Sequence, residues 1–354
     1  MTKFYYPCLK LKINEIGALK NIEKSCLSNI TPVFDIPRNI KDGDSEKSAM
    51  KYINNAIKKM DKWWNKSKPF AIDCYDLPTL KDQAGNNIYK RVLETLESNG
   101  YNLIPVVALN RDRSHNDAVQ YLYQSKKYEK IILRLDLDDI SDYSTCSSDI
   151  EDIFAAFSHS RFVIFLDIRF IKSEKQLTQI KALCEEFVSD FKSNHSDRSD
   201  EIVVSSSSIP AYVSKPNSQL EIHRHEKDLY YSLKEDIPDL IFSDYGIIGP
   251  DYTDALIPDH LMQEVSTPKL IYTSCDVYHV FKGGSFKRHE RARNQFHDLA
   301  DNVCKLDCFR GPEYSTGDKF IYSKSITNDN PSSQGHWYQH LNIAHMTYII
   351  KSFL

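Results

Sequence analysis

Eight short runs rich in β-branched and aromatic residues recur along the chain, and they constrain its fold more than any other feature. They span residues 5–11, 31–36, 69–74, 103–109, 131–137, 162–168, 201–207 and 240–246. Several intervening segments, such as 46–64 and 173–192, carry apolar residues at three- and four-residue intervals, which predicts amphipathic helices. Strand–helix alternation of this kind predicts an α/β protein with a parallel sheet.

The number of strand-like runs favours a closed sheet. Eight units over about 250 residues fit a (β/α)8 TIM-like barrel, whereas an open doubly wound sheet is the alternative. The pattern changes after about residue 262. We therefore predict a barrel over residues 1–262 and a C-terminal α+β subdomain over residues 263–354 that packs on it.

The C-terminal region carries mixed signals. Its predicted elements are a strand pair at 269–284, a basic amphipathic helix at 286–304, a strand at 317–323 and a helix at 336–354. Residues 269–275 are an alternative barrel strand, with residues 5–11 left outside. We favour residues 5–11 inside, because Lys10 and Lys12 then reach the same rim as the other charged side chains.

Bulk composition narrows the functional class. The net charge of the 354 residues is −4, so no global basic field attracts nucleic acid. No apolar run approaches the length of a membrane span, and the N-terminus lacks the features of a signal peptide. The eight cysteines are scattered, and this spacing favours neither a disulfide framework nor a zinc site. A reducing, cytoplasmic compartment is therefore expected.

Aspartates stand at the ends of five predicted strands. They are Asp35, Asp73, Asp136, Asp167 and Asp244. Strand alternation places their side chains toward the barrel axis, at the rim where barrel enzymes hold their active sites. We expect Asp73, Asp136, Asp167 and Asp244 to act as general bases or as ligands of Mg²⁺ or Mn²⁺, although interleaved arginines compete with a metal.

Cationic residues follow the same strand ends. The predicted ligand-binding residues are Lys10, Lys12, Asp35, Arg38, Arg111, Arg134, Arg169, Ser207 of "SSSS" and Tyr245. Because arginine presents a planar fork to phosphate or carboxylate, this set favours a phosphorylated ligand, either a small molecule or nucleic acid. The alternative is a buried ion-pair layer in which Arg134, the deepest cation, neutralises its neighbours.

Other motifs carry weaker signals. The chain has no Walker loop, dinucleotide glycine fingerprint or HExxH sequence. The segment "HRHE" at 223–226 has metal-ligand residue types, but on the predicted helix residues two apart do not share a face, so solvated surface is expected. The basic residues of 286–293 are interpreted as a solvated helix face, with nucleic-acid contact as the alternative.

Two N-terminal patterns resemble those of the "beta family" proteins of bacteria and phages. The first falls on Tyr5 or Tyr6, Pro7, Leu9, Lys10, Lys12, Glu15, Ala18 and Leu19, and the second on Pro32, Asp35 and Pro37. Further matches reach residue 321, so the resemblance spans nearly the whole chain. The C-terminal "NIAHMT" departs from the family by keeping only His345 of a histidine pair, and Lys282 replaces an arginine before the glycine pair.

The resemblance implies occurrence in phages and mobile elements, beside genes of host–phage conflict, and implies no particular reaction. Our first hypothesis is a barrel protein of the antiviral-defence type that binds a phosphorylated ligand, such as a nucleotide or nucleic-acid end, and that, if it is an enzyme, hydrolyses phosphate esters. The alternative is a non-catalytic scaffold that binds a partner protein encoded nearby, or DNA, through its C-terminal subdomain. Neither hypothesis involves a membrane.

Overall fold

Eight parallel strands form a nearly closed barrel, as the alternating pattern predicts. The computed structural model describes residues 4–39, 43–212, 215–251 and 262–354. The strands are β1 Cys8–Lys10, β2 Val33–Asp35, β3 Phe70–Asp73, β4 Leu103–Val107, β5 Lys130–Leu135, β6 Arg161–Phe170, β7 Ser199–Ser207, β8 Ser218–His223, β9 Ile241–Asp244, β10 Lys269–Thr273 and β11 Val277–Lys282. Strands β1 to β7 pair in chain order, and β9 follows β7.

Helices connect the barrel strands and cover their outer faces, and further helices follow the last barrel strand. They are α1 Ile13–Asn21, α2 Lys24–Leu27, α3 Glu46–Met60, α4 Ile88–Ser98, α5 Arg113–Ser125, α6 Leu137–Ile140, α7 Tyr143–Ala156, α8 Glu174–His195, α9 His225–Lys234, α10 Met262–Val265, α11 Gln295–Cys304, α12 Thr316–Ile326 and α13 Gln334–Tyr348. A π-helical turn, Ile349–Phe353, follows α13. Among the described residues, no helix has the length and apolarity that crossing a bilayer requires.

The covering helices follow their sequence signals. Helix α3 begins at a capping box in which the Ser45 side chain accepts a hydrogen bond from the backbone N–H of Ser48. Its buried residues include Ala49, Ile53 and Met60, spaced along one helical face. Burying a side chain such as Ile53 contributes about 1.5–3 kcal/mol, so the face that packs on the barrel holds the helix in place.

The ring of strands closes between the two ends of the barrel sequence. Tyr5, just before β1, forms a parallel bridge with Phe242 of β9, and their rings stack with centroids 6.0 Å apart. The backbone N–H of Tyr6 donates to the carbonyl of Phe242 at 3.3 Å. Residues 5–11 therefore supply the barrel strand, as favoured above, whereas β10 pairs antiparallel with β11.

Alternate side chains of the barrel strands fill its interior in layers. Cys8, Val33 and Ala71 align across β1, β2 and β3 and belong to the apolar interior cluster. Two residues further along the same strands, Lys10 aligns with Asp35, and Asp35 with Asp73. The strand register thus places a polar layer above an apolar one, at the C-terminal mouth of the barrel.

The C-terminal region contains the predicted hairpin and final helix. Strands β10 and β11 pair antiparallel from Lys269↔Lys282 to Thr273↔Tyr278, and α13 ends in the π-helical turn. A third strand, β8, pairs antiparallel with β11 although it lies between β7 and β9 in sequence. The division at residue 262 stays a prediction, and β8 shows that both parts of the chain build this sheet.

Two C-terminal expectations were wrong. Residues 317–323 form part of α12 rather than a strand: the Ser315 side chain caps the helix, and Gly317 packs so closely that an added Cβ would lie 2.2 Å from the carbonyl oxygen of His340. The helix expected at 286–304 begins only at Gln295, after a 3-10 turn. Ala292 has a φ of 42°, which interrupts a right-handed helix.

Candidate functional site

The polar layer at the barrel mouth centres on Arg134, which is 2% exposed. Its Nη1 donates to Asp35 at 2.7 Å and to Asp73 at 2.9 Å, and its Nε donates to Asp167 at 2.9 Å. Its Nη2 reaches the hydroxyl of Tyr245 at 3.2 Å, and that hydroxyl donates to Asp167 at 2.6 Å. All these side chains face the axis, so the inward orientation predicted for Asp35, Asp73, Asp167 and Arg134 is confirmed.

Asp73 binds a second guanidinium group in addition to that of Arg134. Nη2 of Arg111 donates to it at 3.1 Å, in addition to Arg134, and His115 Nε2 lies 3.7 Å from its other oxygen. Burial alone would raise the pKa of Asp73, but the guanidinium groups of Arg111 and Arg134 lower it to about 2. Burial lowers the pKa of His115 to about 4, which favours its neutral form.

Three guanidinium groups lie around the ring of Tyr75. The Cζ atoms of Arg111, Arg134 and Arg169 lie 4.4, 4.5 and 4.3 Å from the ring centroid. Each distance is within the range of a cation–π interaction. The aromatic ring thus allows three like charges to approach one another at the mouth, where direct contact between them would be repulsive.

Local backbone geometry directs Arg169 to this position. A register shift between Asp167 and Arg169 marks a β-bulge where β6 pairs with β7, and Arg169 has a φ of 60°, in the left-handed region. Its Nη2 donates to the Asp251 carboxylate at 2.7 Å and to the Pro250 carbonyl at 3.0 Å. Left-handed non-glycine residues concentrate at functional sites, because the fold has to offset their strain.

Two donors in this cluster are buried without a hydrogen-bond partner among the described residues. They are Nε of Arg111 and Nη1 of Arg169. Arg134, by contrast, uses all three of its nitrogens on Asp35, Asp73, Asp167 and the Tyr245 hydroxyl. The inner guanidinium is therefore structural, whereas the outer two retain N–H groups for a further acceptor.

Lys10 lies on the same rim. Its ammonium group is 3.4 Å from Asp35 and 2.5 Å from Asp76, a carboxylate that the sequence did not single out. Lys12, Arg38 and Ser207 were also predicted to bind the ligand. Lys12 is the residue before α1, Arg38 is 43% exposed, and the buried Ser207 hydroxyl accepts from the N–H of Ile209.

Asp136 caps a helix instead of ending a strand. Strand β5 stops at Leu135, and the Asp136 carboxylate accepts from the backbone N–H groups of Asp138 and Asp139 at the start of α6. The Asp139 carboxylate accepts from the N–H of Asp136 at 3.0 Å, which completes a capping box. Burial raises the pKa of Asp139 to about 6.

Asp244 faces away from the barrel axis, so its predicted inward orientation was wrong. Ser243 points inward and hydrogen-bonds to the Tyr6 carbonyl, which by alternation turns Asp244 outward. There the carboxylate accepts from the Tyr5 hydroxyl at 2.5 Å and lies 2.8 Å from Nε2 of His345 on α13. Nδ1 of His345 is 2.8 Å from the Thr273 hydroxyl. This chain joins the barrel to the C-terminal region.

The "HRHE" segment also differs from its prediction. The segment is not wholly helical, because His223 ends β8 and α9 begins at His225. Arg224 and Glu226 are 0% and 1% exposed and form an ion pair at 2.8 Å, so they are core residues rather than solvated surface. The alternate residues, His223 and His225, lie at the surface instead.

The four aspartates expected to hold Mg²⁺ or Mn²⁺ do not form one ligand set. Asp73 and Asp167 are bound to Arg134, Asp136 caps α6, and Asp244 points to α13. A hard cation needs several free oxygens that converge on one point. The arrangement at the mouth therefore does not fit a metal site built from these residues.

The match to a family model covers the barrel and the C-terminal region together. A model described as "Beta protein" matches residues 5–351. The chain belongs to the Beta protein family. No curated protein matches the chain. The N-terminal patterns quoted above therefore identified the family correctly, and in this member they encode β1, α1 and β2 of the barrel.

Besides Asp76, sequence reasoning missed two further residues of the mouth, Tyr75 and Asp139. Tyr75 follows Asp73 by two positions, and the same alternation that placed Asp73 inward could have placed Tyr75 beside it. Asp139 carried no such signal. Its raised pKa depends mainly on partial burial in the folded chain, which local sequence pattern does not specify.

Proposed function

We propose that the barrel mouth binds an anionic ligand through a phosphate group. The observation that carries this proposal is a pair of buried guanidinium donors, Arg111 Nε and Arg169 Nη1, that have no hydrogen-bond partner within the described ranges and whose side chains share the ring of Tyr75. Leaving a buried donor unpaired costs about 1–3 kcal/mol, and more when the group is charged. A phosphate oxygen would satisfy such donors with strong, charge-assisted hydrogen bonds.

Ligand binding has more support than a hydrolysis reaction in which Asp73, Asp136, Asp167 or Asp244 transfers the proton. With a pKa of about 2, Asp73 is a weak proton acceptor near neutral pH, and Asp167 is held by Arg134 and Tyr245. Asp139 has a pKa of about 6, close to the value that suits general acid–base catalysis. If the bound phosphate ester is hydrolysed, we propose Asp139 as the proton-transfer group.

Calorimetric titration of the full-length protein with inorganic phosphate, pyrophosphate and a 5′-phosphorylated oligonucleotide tests the proposal. We expect binding of at least one probe, weakened about tenfold or more by Arg111→Gln and by Arg169→Gln. The matched control is Arg113→Gln. The Arg113 side chain is 93% exposed, and Arg113 begins α5, the helix that follows β4 and Arg111. The absence of binding for every probe, or equal losses in all three variants, contradicts the proposal.

The biological setting that we propose is host–phage conflict, and its support is the family membership. A plaque assay on cells that express the wild-type chain, Arg111→Gln or Arg113→Gln links the site to this role. Protection that requires Arg111 but not Arg113 supports it. If both variants protect cells equally, the barrel mouth is not required for the cellular role.

The alternative, a scaffold that binds DNA or a partner through its C-terminal region, receives less support from the described contacts. Lys287 and Arg288 pair with Glu264 at 2.5 and 3.1 Å, and Arg291 pairs with Asp298 at 2.7 Å. These intramolecular ion pairs reduce the positive charge that a phosphate backbone would meet.

A further inference from the structure

Two histidines and an aspartate meet at the junction between the C-terminal sheet and the barrel. His223 is the last residue of β8, His225 is the first residue of α9, and Asp228 lies three residues further along that helix. Nε2 of His223 and Oδ2 of Asp228 are 2.5 Å apart. One ligand atom from each of the three residues lies within 4.8 Å of the other two.

The core residues of the same segment fix this arrangement. Arg224, between the two histidines, is fully buried, and its guanidinium binds Glu226 and the Ser274 carbonyl, the latter at 3.0 Å. With Arg224 and Glu226 anchored inward, His223 and His225 are left on the outer side. Asp228 is three residues from His225, so the two share a face of α9.

We propose that His223, His225 and Asp228 bind a divalent transition-metal ion, of which zinc is the representative. Imidazole and carboxylate ligands suit zinc, nickel and copper, and three protein ligands leave one tetrahedral position open. Metal–ligand bonds of about 2.0–2.1 Å require ligand atoms roughly 3.3 Å apart. His223 and Asp228 are 48% and 35% exposed, so their side chains have room to adopt this spacing.

Neighbouring charges are compatible with such a site. The other oxygen of Asp228, Oδ1, lies 3.5 Å from the ammonium group of Lys227, which also pairs with Asp276. Oδ2 therefore remains directed toward the histidines. The ion would bind where β8 of the C-terminal sheet passes into α9, which packs against α8 of the barrel.

Zinc titration of tag-free, full-length protein that has been stripped with a chelator tests this proposal. We expect one site per chain by calorimetry, and we expect His223→Ala/His225→Ala to weaken binding at least about tenfold. Cobalt supplies a second measurement, because its visible absorption reports tetrahedral coordination. The wild type should develop that spectrum and the double variant should not. A circular dichroism spectrum of the variant confirms that it is folded.

A second histidine pair in the same chain provides the control. His336 and His340 lie one turn apart on α13, with their Nε2 atoms 3.1 Å apart. His336→Ala/His340→Ala should leave the tight zinc site and the cobalt spectrum unchanged. The proposal is overturned if the wild type binds no zinc, or if zinc binding follows the α13 pair and is unaffected by the His223/His225 variant.

Discussion

His345 of the last long helix donates a hydrogen bond from Nε2 to the buried carboxylate of Asp244, the final residue of the last barrel strand, at 2.8 Å. A carboxylate only accepts, so the proton lies on Nε2. Both side chains are at most 1% exposed. The contact therefore joins the last barrel strand to α13 at a buried position.

Replacing His345 should destabilise the whole fold. Among the described contacts, His345→Ala leaves the buried Asp244 carboxylate with the Tyr5 hydroxyl and the Gly246 N–H, and removing a hydrogen-bond partner from a buried group costs about 1–3 kcal/mol, and more when that group is charged. Equilibrium unfolding in urea measures the loss. His336→Ala, on the same helix but partly exposed, should change the free energy of unfolding by less than about 1 kcal/mol. Similar losses in both variants would disprove a special role for the pair.

Arg134 should be the least replaceable side chain of the mouth. Arg134→Met removes the only cation that binds Asp35, Asp73 and Asp167 together in the described structure, so the free energy of unfolding should fall by at least about 4 kcal/mol. Arg113→Met, on an exposed side chain, is the control. A stable Arg134→Met protein with an unchanged urea midpoint would show that the carboxylates are neutralised in another way.

The pKa of Asp139 predicts how stability depends on pH. Its pKa is raised in the folded state from 3.8 to about 6, so the folded state binds the proton more tightly than the unfolded state. The stabilisation is fully present below pH 4 and is lost as pH rises toward 6. Asp73 acts oppositely: because its pKa is lowered to about 2, its contribution is present above pH 4 and is lost as pH falls.

Carbon-detected NMR titration of the Asp139 carboxyl measures its pKa directly. Arg111 lowers this pKa electrostatically, so Arg111→Gln should raise it further, whereas Arg113→Gln should leave it unchanged. A titration midpoint near the ordinary value of 3.8 in the wild type would rule out Asp139 as the proton-transfer group.

The left-handed backbone at Arg169 can be tested by comparing two truncations. Arg169→Gly and Arg169→Ala remove the same hydrogen bonds, but glycine adopts a φ of 60° without strain. The glycine variant should be more stable by about 1 kcal/mol. At Lys319, exposed in the middle of α12, the order should reverse, because glycine weakens a helix by about 1 kcal/mol. The same order at both positions would contradict the strain at Arg169.

The barrel could be predicted because each strand appears in the local sequence as an apolar run of the right length between helical segments. Alternation also placed Asp35, Asp73, Arg134 and Asp167 correctly. It failed for Asp244, because the inward side of so short a strand depends on how Tyr5 and Tyr6 close the ring. The helical structure of residues 317–323 was not predicted either. Gly317 is buried against α13 through tertiary packing, which local propensity does not encode.

The insertion of β8 between two barrel strands also bears on how the chain is made. During synthesis β8 leaves the ribosome before β9 and well before its partner β11. The edge of β8 therefore stays unpaired until the β10–β11 hairpin has been synthesised. His345, which hydrogen-bonds to Asp244, emerges later still. The nascent barrel can therefore reach its final stability only after α13 has been synthesised, and a message that ends before residue 345 would yield a product prone to degradation.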